Sequence, residues 1–308
     1  MPLGSESFPL IPSRRLVGLP FGAMHSARRG AGSDVAGTRF YLPGDDVRAI
    51  DWAASARLSS AHGSDEFVVR EWYADEAPFV VLVCDRRPEM ALYPEGMPWL
   101  RKPDAVRACA ELIGASAVTA RGFVGYLDFA LGEDEPFWRP PQSPSEVWHI
   151  TERHLHFPDY RAQPDNLTRA LEVLGRHRRS VPSGSFVFLL SDFLEPPPRE
   201  AWARALEHRW DVVPVVIQDP VWEQSFPAVG SVVVPLADAG GRVRPVRLRA
   251  AEAERRREEN EARRDRLLTE LMTLGIEPIL VSSAEREEIF RAFLVWADER
   301  QFRRGRAG

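Results

Sequence analysis

The sequence predicts an α/β protein with a mostly parallel sheet and helices on both faces. Strand-like and helix-like segments alternate from residue 78 to 303, with only one predicted hairpin between them. Two apolar runs, Phe79–Cys84 and Phe186–Ser191, are continuous rather than alternating, as in strands buried on both faces. Each run stops at an aspartate, Asp85 or Asp192, and ligands of such sheets bind outside the carboxyl ends of strands.

The amino-terminal third begins with an irregular stretch. Residues 1–37 are rich in Pro, Gly, Ser and Arg without a sustained period, which predicts an extended arm or loop. Residues 53–58 predict a short helix, and residues 66–73 alternate partly, as a half-buried strand does. After the first buried strand, an apolar stripe at helical spacing predicts a helix; its members are Val106, Cys109, Ala110, Ile113 and Ala117.

The remaining elements continue the alternation. We expect strands at 123–130, 212–217 and 276–281, and helices at 145–154, from Asp165 or Asn166 onward, at 200–208 and at 250–274. Residues 231–236 and 243–248, separated by Asp238-Ala239-Gly240-Gly241, predict an inserted hairpin at about 230–249. Ser282 with Glu285 predicts a capping box for a last helix. We expect an amino-terminal region at 1–74 and the α/β domain at 75–308.

The composition excludes several classes of function. Forty basic against 45 acidic residues leave a net charge of −5, so we expect no nucleic-acid partner. Cys84 and Cys109 form no CxxC pair and predict a reducing compartment without a disulfide framework. With no apolar run near the ~18 residues of a membrane helix and no signal peptide at 1–22, we expect a cytoplasmic chain without direct membrane insertion.

Weaker patterns favour structural readings. The glycine-rich stretch 30–35 carries Val35 where a dinucleotide-binding loop needs its third glycine, and no Walker loop for ATP is present. His149, His154 and His156 with Asp159 have the ligand types of a zinc site, but spacings of five and two do not place the histidines on one helical face. We interpret them as surface histidines. Cys84 has no nucleophile-elbow pattern, so we predict no catalytic role for it.

The twelve residues from Tyr41 to Trp52 form the densest motif. They combine a Pro-Gly turn, three aspartates, an arginine and a tryptophan. We interpret the stretch as a structural corner, with a carboxylate site for a metal or partner as the alternative. We expect Arg48 to be held by an aspartate, and Trp52 to pack against the sheet domain. The residues assigned to this corner, including one from the following Ser-Ala-Arg, are Pro43, Gly44, Asp45, Asp46, Arg48, Asp51, Trp52 and Arg57.

This motif carries a family resemblance that extends over most of the chain. Residues 21–90 resemble the von Willebrand factor A-like proteins of unknown function, MxaS-like proteins among them, that are typically encoded beside MoxR-type AAA+ ATPases. The match rests on Tyr41-x-Pro-Gly-Asp-Asp-x-Arg-x-Ile-Asp-Trp52, Ser55-Ala-Arg57, Arg70-Glu71, Leu189-Leu-Ser-Asp-Phe193 and Asp219-Pro220. It implies a von Willebrand A-like sheet with an amino-terminal extension.

The resemblance also implies where a metal-ion-dependent adhesion site would lie. Asp85 matches its first aspartate and Asp192 its last, while Arg87 and Glu89 stand at the serine positions. The threonine position falls near Asp165. Because a guanidinium competes with Mg²⁺ for carboxylates, we expect a degenerate metal site and no cofactor, with retained Mg²⁺ as the alternative.

The implied function is that of a non-enzymatic adaptor. It would work with a MoxR-type AAA+ ATPase in maturation, assembly or chaperone-like remodelling of a client protein. The expected partner-binding residues are Asp85, Arg86, Arg87 and Asp192. The alternatives are a divalent-metal-dependent hydrolase that uses the strand-end aspartates, and a purely structural scaffold.

Overall fold

The computed structural model describes residues 6–13, 19–29, 35–42, 45–62, 66–91, 100–142, 144–156, 159–228, 230, 232–237 and 243–307. Its strands are β1 (Leu19–Arg29), β2 (Val35–Phe40), β3 (Val68–Ala77), β4 (Phe79–Cys84), β5 (Phe123–Asp128), β6 (Phe137–Gln142), β7 (Phe186–Ser191), β8 (Asp211–Ile217), β9 (Val232–Ala237), β10 (Val243–Leu248) and β11 (Ile279–Val281). Its α-helices are α1 (Trp52–His62), α2 (Lys102–Thr119), α3 (Pro144–His156), α4 (Asn166–Arg176), α5 (Arg199–Glu207), α6 (Ala250–Thr273) and α7 (Arg286–Ala307).

A six-stranded sheet in the order β11-β8-β7-β4-β5-β6 forms the centre of the fold. All neighbours in it are parallel except β6, which runs antiparallel to β5. The predicted mostly parallel sheet is therefore confirmed. The antiparallel edge strand β6 is missing from the prediction because its sequence, FWRPPQ, carries two prolines and no alternating pattern.

Helices cover both faces of this sheet, as predicted. Along β4, alternate side chains enter two separate apolar clusters, with Val80 and Leu82 on one face and Val81 and Val83 on the other. Helices α2 and α7 complete the first cluster, and α4, α5 and the end of α6 complete the second. A strand with two buried faces cannot alternate polar with apolar residues, which explains the continuous run.

The strand order changes direction at β4. The chain leaves β4 to pair with β5 on one side, and it later returns to place β7 on the other side. The carboxyl ends of β4 and β7 therefore flank the crevice where ligands of open α/β sheets bind.

A smaller antiparallel sheet, β1-β3-β2, precedes the central one. Its strands β1 and β2 lie mostly within the stretch predicted to be an arm or loop, so that prediction is wrong there. Pairing with β3 supplies the order that the sequence pattern does not show, and β3 runs to Ala77, across the predicted boundary at 74 and 75. That boundary stays a prediction. Residues 43–44 of the predicted turn and residues 30–34 lie outside the described residues.

The first described segment, residues 6–13, packs on the central domain. Phe8 and Leu10 are buried in the apolar cluster formed with α2 and α7. The Phe8 ring lies 4.8 Å from the ring of Phe293 and 6.0 Å from that of Trp296. This segment is thus part of the core.

Two further predictions concern the carboxyl-terminal part. The paired strands of the hairpin, β9 and β10, are confirmed, while residues 238–242 between them lie outside the described residues. The capping box of the last helix is wrong. The Ser283 hydroxyl, rather than that of Ser282, accepts the Glu285 N–H at 3.1 Å, while Ser282 accepts a hydrogen bond from Gln224.

Candidate functional site: a closed ion cluster at the carboxyl edge of the sheet

Two strand ends deliver aspartates to the crevice beside β4. Asp85 directly follows β4 and Asp192 directly follows β7, and neither side chain is exposed. We call the group at this edge the carboxyl-edge cluster. It consists of Asp85, Arg87, Lys102, Asn166, Asp192 and Glu223.

Asp85 is saturated by donors from its own chain. The Arg87 guanidinium binds it through Nε at 2.9 Å and Nη2 at 2.7 Å to Oδ2. The Ser191 hydroxyl donates to the same oxygen at 2.6 Å. Oδ1 accepts from the Arg87 backbone N–H and from Asn166 Nδ2, both at 3.0 Å. A buried carboxylate with several charge-assisted hydrogen bonds holds its loop in one conformation.

Asp192 is bound by two cations. Arg87 Nη2 lies 2.7 Å from its Oδ1, so one guanidinium bridges the ends of β4 and β7. Lys102 Nζ, at the start of α2, lies 2.7 Å from Oδ2 and also 2.6 Å from Glu223 Oε1. The Leu194 N–H donates to Oδ1 at 3.1 Å. The cluster thereby joins two strand ends, a helix start and the turn after β8.

The electrostatics follow from this pairing. Burial by itself raises the pKa of Asp192, but the charges of Lys102 and Arg87 outweigh burial and hold that pKa below its ordinary value. Burial lowers the pKa of Lys102, but the carboxylates of Asp192 and Glu223 outweigh it and raise that pKa overall. For Glu223, burial dominates and raises the pKa. The cluster thus contains cations of its own that keep Asp192 ionised.

This arrangement does not fit a divalent cation. Every carboxylate oxygen of Asp85 and Asp192 already accepts at least one hydrogen bond, and Arg87 Nη2 contacts both carboxylates. The other predicted donors do not join them: Glu89 lies on the turn after β4 without a described contact to the cluster, and Asp165 is exposed at the start of α4. The described residues contain no group of three acidic, histidine or cysteine side chains able to hold a metal.

Arg86 belongs to a second buried network. Its side chain is 1 % exposed, and it donates to Asp128 Oδ2 at 3.1 Å, to the Tyr126 hydroxyl at 2.9 Å and to the Tyr160 hydroxyl at 3.0 Å. His154 Nε2 lies 3.0 Å from the same Asp128 oxygen. Burial raises the pKa of Asp128, yet hydrogen bonding to His154 and the charge of Arg86 lower it overall.

The structure separates the histidines of the conceivable zinc site. His154 is committed to Asp128, while His149 and His156 are exposed on α3. Asp159 lies 3.7 Å from Arg161. Cys84, whose pKa burial raises to about 11, is a protonated core thiol.

Two aspartates of the motif form ion pairs with arginines other than Arg48. Asp45 binds the Arg39 guanidinium at 2.6 and 2.7 Å, and this hydrogen bonding lowers its pKa to about 2. Asp51 binds Arg70 at 2.8 Å and accepts the Ala54 N–H at 3.0 Å, which caps α1. The expectation that an aspartate holds the Arg48 side chain is wrong. The Asp46 side chain accepts a hydrogen bond from the Arg48 backbone N–H, at 2.9 Å.

The position of Trp52 also differs from the prediction. Its side chain is 60 % exposed and meets Phe67 edge to face, with 5.9 Å between ring centroids, instead of packing on the sheet domain. Five of the 13 large apolar side chains that are exposed in the described residues lie in this short region. We call them the motif surface: Phe40, Leu42, Val47, Trp52 and Phe67. Arg48 and Arg57 are exposed among them, and Arg57 donates to the Ala53 carbonyl.

Sequence reasoning missed several residues that complete the site. Asn166 fills the place for which Asp165 was expected, and Lys102, Glu223 and Asp128 had no predicted role. A signal existed for Lys102, because it is the only lysine in a chain with 39 arginines among its 40 basic residues. The other three carry no local pattern.

Comparisons with known proteins give a family without an established function. Uncharacterized proteins of Mycobacterium bovis and of Mycobacterium tuberculosis are each 27 % identical over 218 residues, covering 68 % of this chain. The match spans 62 % of the length of each of these relatives.

Two solved structures have a low level of similarity to this chain. They are a conserved hypothetical protein BatB from Bacteroides thetaiotaomicron, with a TM-score of 0.38 and 15 % identity, and an aerotolerance-related membrane protein from Bacteroides fragilis, with 0.39 and 13 %. Each match covers 72 % of this chain and 99 % of the other, and at these scores it carries no argument about function. Within the described ranges, no helix has both the length and the apolar character needed to cross a bilayer. Residues 37–267 match the model of a family of proteins of unknown function, DUF58, and the chain belongs to that family.

Proposed function

We propose that this protein is a non-enzymatic adaptor with a von Willebrand A-like sheet, which works with a MoxR-type AAA+ ATPase on a client protein. The observation that carries the proposal is the bridge from Arg87 to Asp85 and Asp192. It places a fixed positive charge where a metal-dependent member of that fold would hold its cation. Because Arg87 occupies the position of the cation, protein binding is the activity that the remaining surface favours.

The choice of ATPase rests on the resemblance of the motif. The spacing from Tyr41 to Trp52 and the strand ends at Asp85 and Asp192 agree with the MoxR-associated proteins. The DUF58 match extends over these positions. The adaptor role for this chain is inferred from those residues.

The docking position needs revision. Asp85, Arg87 and Asp192 are buried and bonded to one another, and Arg86 is buried against Asp128, so a partner cannot contact these four side chains directly while both networks are closed. The motif surface is the better candidate, because Trp52 and its neighbours expose apolar area that folding alone leaves uncovered. Aromatic side chains beside arginines are the composition of energetically dominant positions in protein interfaces.

A binding measurement tests this proposal. The full chain, immobilised, is titrated with the MoxR-type ATPase of the same organism, with and without ATP. We expect saturable binding that Trp52→Ala weakens by roughly tenfold or more, as for a central aromatic residue. Leu131→Ala serves as the matched control, because Leu131 is also exposed and follows β5, and is not one of the residues of the motif surface.

Other outcomes favour other functions. Equal binding by the wild type, Trp52→Ala and Leu131→Ala would place the contact elsewhere. No binding to the ATPase under either condition would contradict the adaptor role. Turnover of a phosphoester with Mg²⁺ or Mn²⁺, lost in Asp85→Ala, would establish the hydrolase alternative.

A further inference from the structure

The central sheet has an uncovered edge at β11. This strand pairs only with β8 in the described sheet, and its other side borders an open groove of about 590 Å³. Helix α7 forms one wall of the groove, and the end of α6 reaches it with Met272. An open strand edge has unpaired backbone N–H and C=O groups. Beside exposed apolar side chains, such an edge is a place where another chain can bind.

Apolar side chains line this region without being buried. Val295 on α7 is 52 % exposed, and Phe302, seven residues further along the helix, is 63 % exposed. Leu280 at the centre of β11 and Met272 are exposed as well. Residues seven positions apart lie on the same side of a helix, so Val295 and Phe302 share one side of α7, with Asp298 and Glu299 between them. Of the two apolar side chains, Val295 lines the groove.

The charges on the same helix have a distinctive order about Val295. Arg291 lies four residues before it and Glu299 four residues after it. Glu287 lies eight residues before it and Arg303 eight residues after it. If a second α7 packs antiparallel with Val295 against Val295, Arg291 of one copy lies level with Glu299 of the other, and Glu287 lies level with Arg303.

We propose that a second copy of this chain covers the β11 edge, and that the two α7 helices pack antiparallel about Val295. The surface is then isologous, as two-fold dimers require, because position 295−k of one helix meets position 295+k of the other. The 22-residue helix, about 33 Å long, accommodates both charge pairs within its length.

The existing intrahelical pairs do not oppose this arrangement. Arg291 lies 3.6 Å from Glu287, and Arg303 lies 4.0 Å from Glu299, in exposed i,i+4 pairs. Such pairs contribute little in water, so their side chains can reorient towards a partner. Arg303 also pairs with Glu277, at the rim of the groove.

Charge reversal gives a test with an internal rescue. Sedimentation of the full chain over a range of concentrations is expected to show a monomer–dimer equilibrium. R291E and E299R should each weaken the dimer by roughly tenfold or more, because like charges then face each other in both symmetry-related contacts. The double variant R291E/E299R, and an equimolar mixture of the two single variants, should recover dimerisation, since each restores opposite charges.

Several results would overturn the proposal. A wild-type monomer at every concentration would mean that no second copy covers the edge. Single variants that dimerise like the wild type, or a double variant that stays as weak as the singles, would place the contact elsewhere. V295D is a second probe and should also dissociate the dimer. Circular dichroism melts establish that each variant is folded, which is expected because all three positions are exposed.

Discussion

Arg87 and Asp192 lie 105 positions apart in the sequence, yet Arg87 Nη2 is 2.7 Å from Asp192 Oδ1 in a fully buried setting. The contact closes the crevice between β4 and β7 from within. The same guanidinium holds Asp85, so one side chain binds both buried carboxylates at the switch point of the sheet.

Arg87→Ala should destabilise the fold strongly. The substitution leaves two buried carboxylates with one cation fewer, and breaking a buried pair in this way costs about 3–5 kcal/mol. Urea denaturation followed by circular dichroism measures the change. Arg107→Ala is the matched control, because Arg107 makes a half-exposed pair with Asp104 and its loss should change stability by less than about 1 kcal/mol. Equal effects of the two variants would show that the bridge contributes no special stability.

The pH dependence of stability should report both buried networks. The pKa values of Asp192 and Asp128 are lowered in the folded state, while an unfolded aspartate titrates near 3.9. Their contribution is therefore present above about pH 4 and is lost as the pH falls through the lower folded pKa values. Urea midpoints measured at a series of pH values should fall below about pH 4.

Asp192→Asn provides the comparison for that pH series. The variant should be less stable at neutral pH, and its stability should fall less steeply below about pH 4, because one proton-linked group is gone. A slope identical to that of the wild type would mean that Asp192 is not among the groups that drive acid unfolding.

Phe8→Ala should lower stability even though Phe8 lies in the amino-terminal segment. The ring is buried against Phe293 and Trp296, and truncating a buried phenylalanine costs about 3–5 kcal/mol. Thermal unfolding by calorimetry measures the loss. Phe40→Ala, at an exposed phenylalanine, should change stability by no more than about 0.5 kcal/mol.

Arg48 and Asp51 of the motif should differ in their contribution to stability. Arg48→Ala should leave stability within about 0.5 kcal/mol of the wild type, because its side chain is exposed and no aspartate among the described residues holds it. Asp51→Ala should lower the melting temperature, because it removes both the cap of α1 and the Arg70 partner. The reverse order of effects would restore the interpretation of Arg48 as the centre of this corner.

Local patterns predicted the central sheet well, because two buried faces impose the continuous apolar runs that end at Asp85 and Asp192. Local patterns could not predict which arginine each aspartate of the motif would bind. Arg39 and Arg70 come from β2 and β3, strands whose pairing depends on tertiary contacts, whereas Arg48 is merely close in sequence. Asn166 was missed for a similar reason, since the neighbouring Asp165 has the expected chemistry but faces solvent.

Titration calorimetry with Mg²⁺ and Mn²⁺ tests the central claim. The claim is that cationic side chains of the chain itself occupy the strand-end carboxylates, which leaves protein binding as the activity. The wild-type chain should give no heat beyond dilution, because Arg87 and Lys102 already bind Asp85 and Asp192. Stoichiometric binding of either ion that disappears in Asp85→Ala would contradict it.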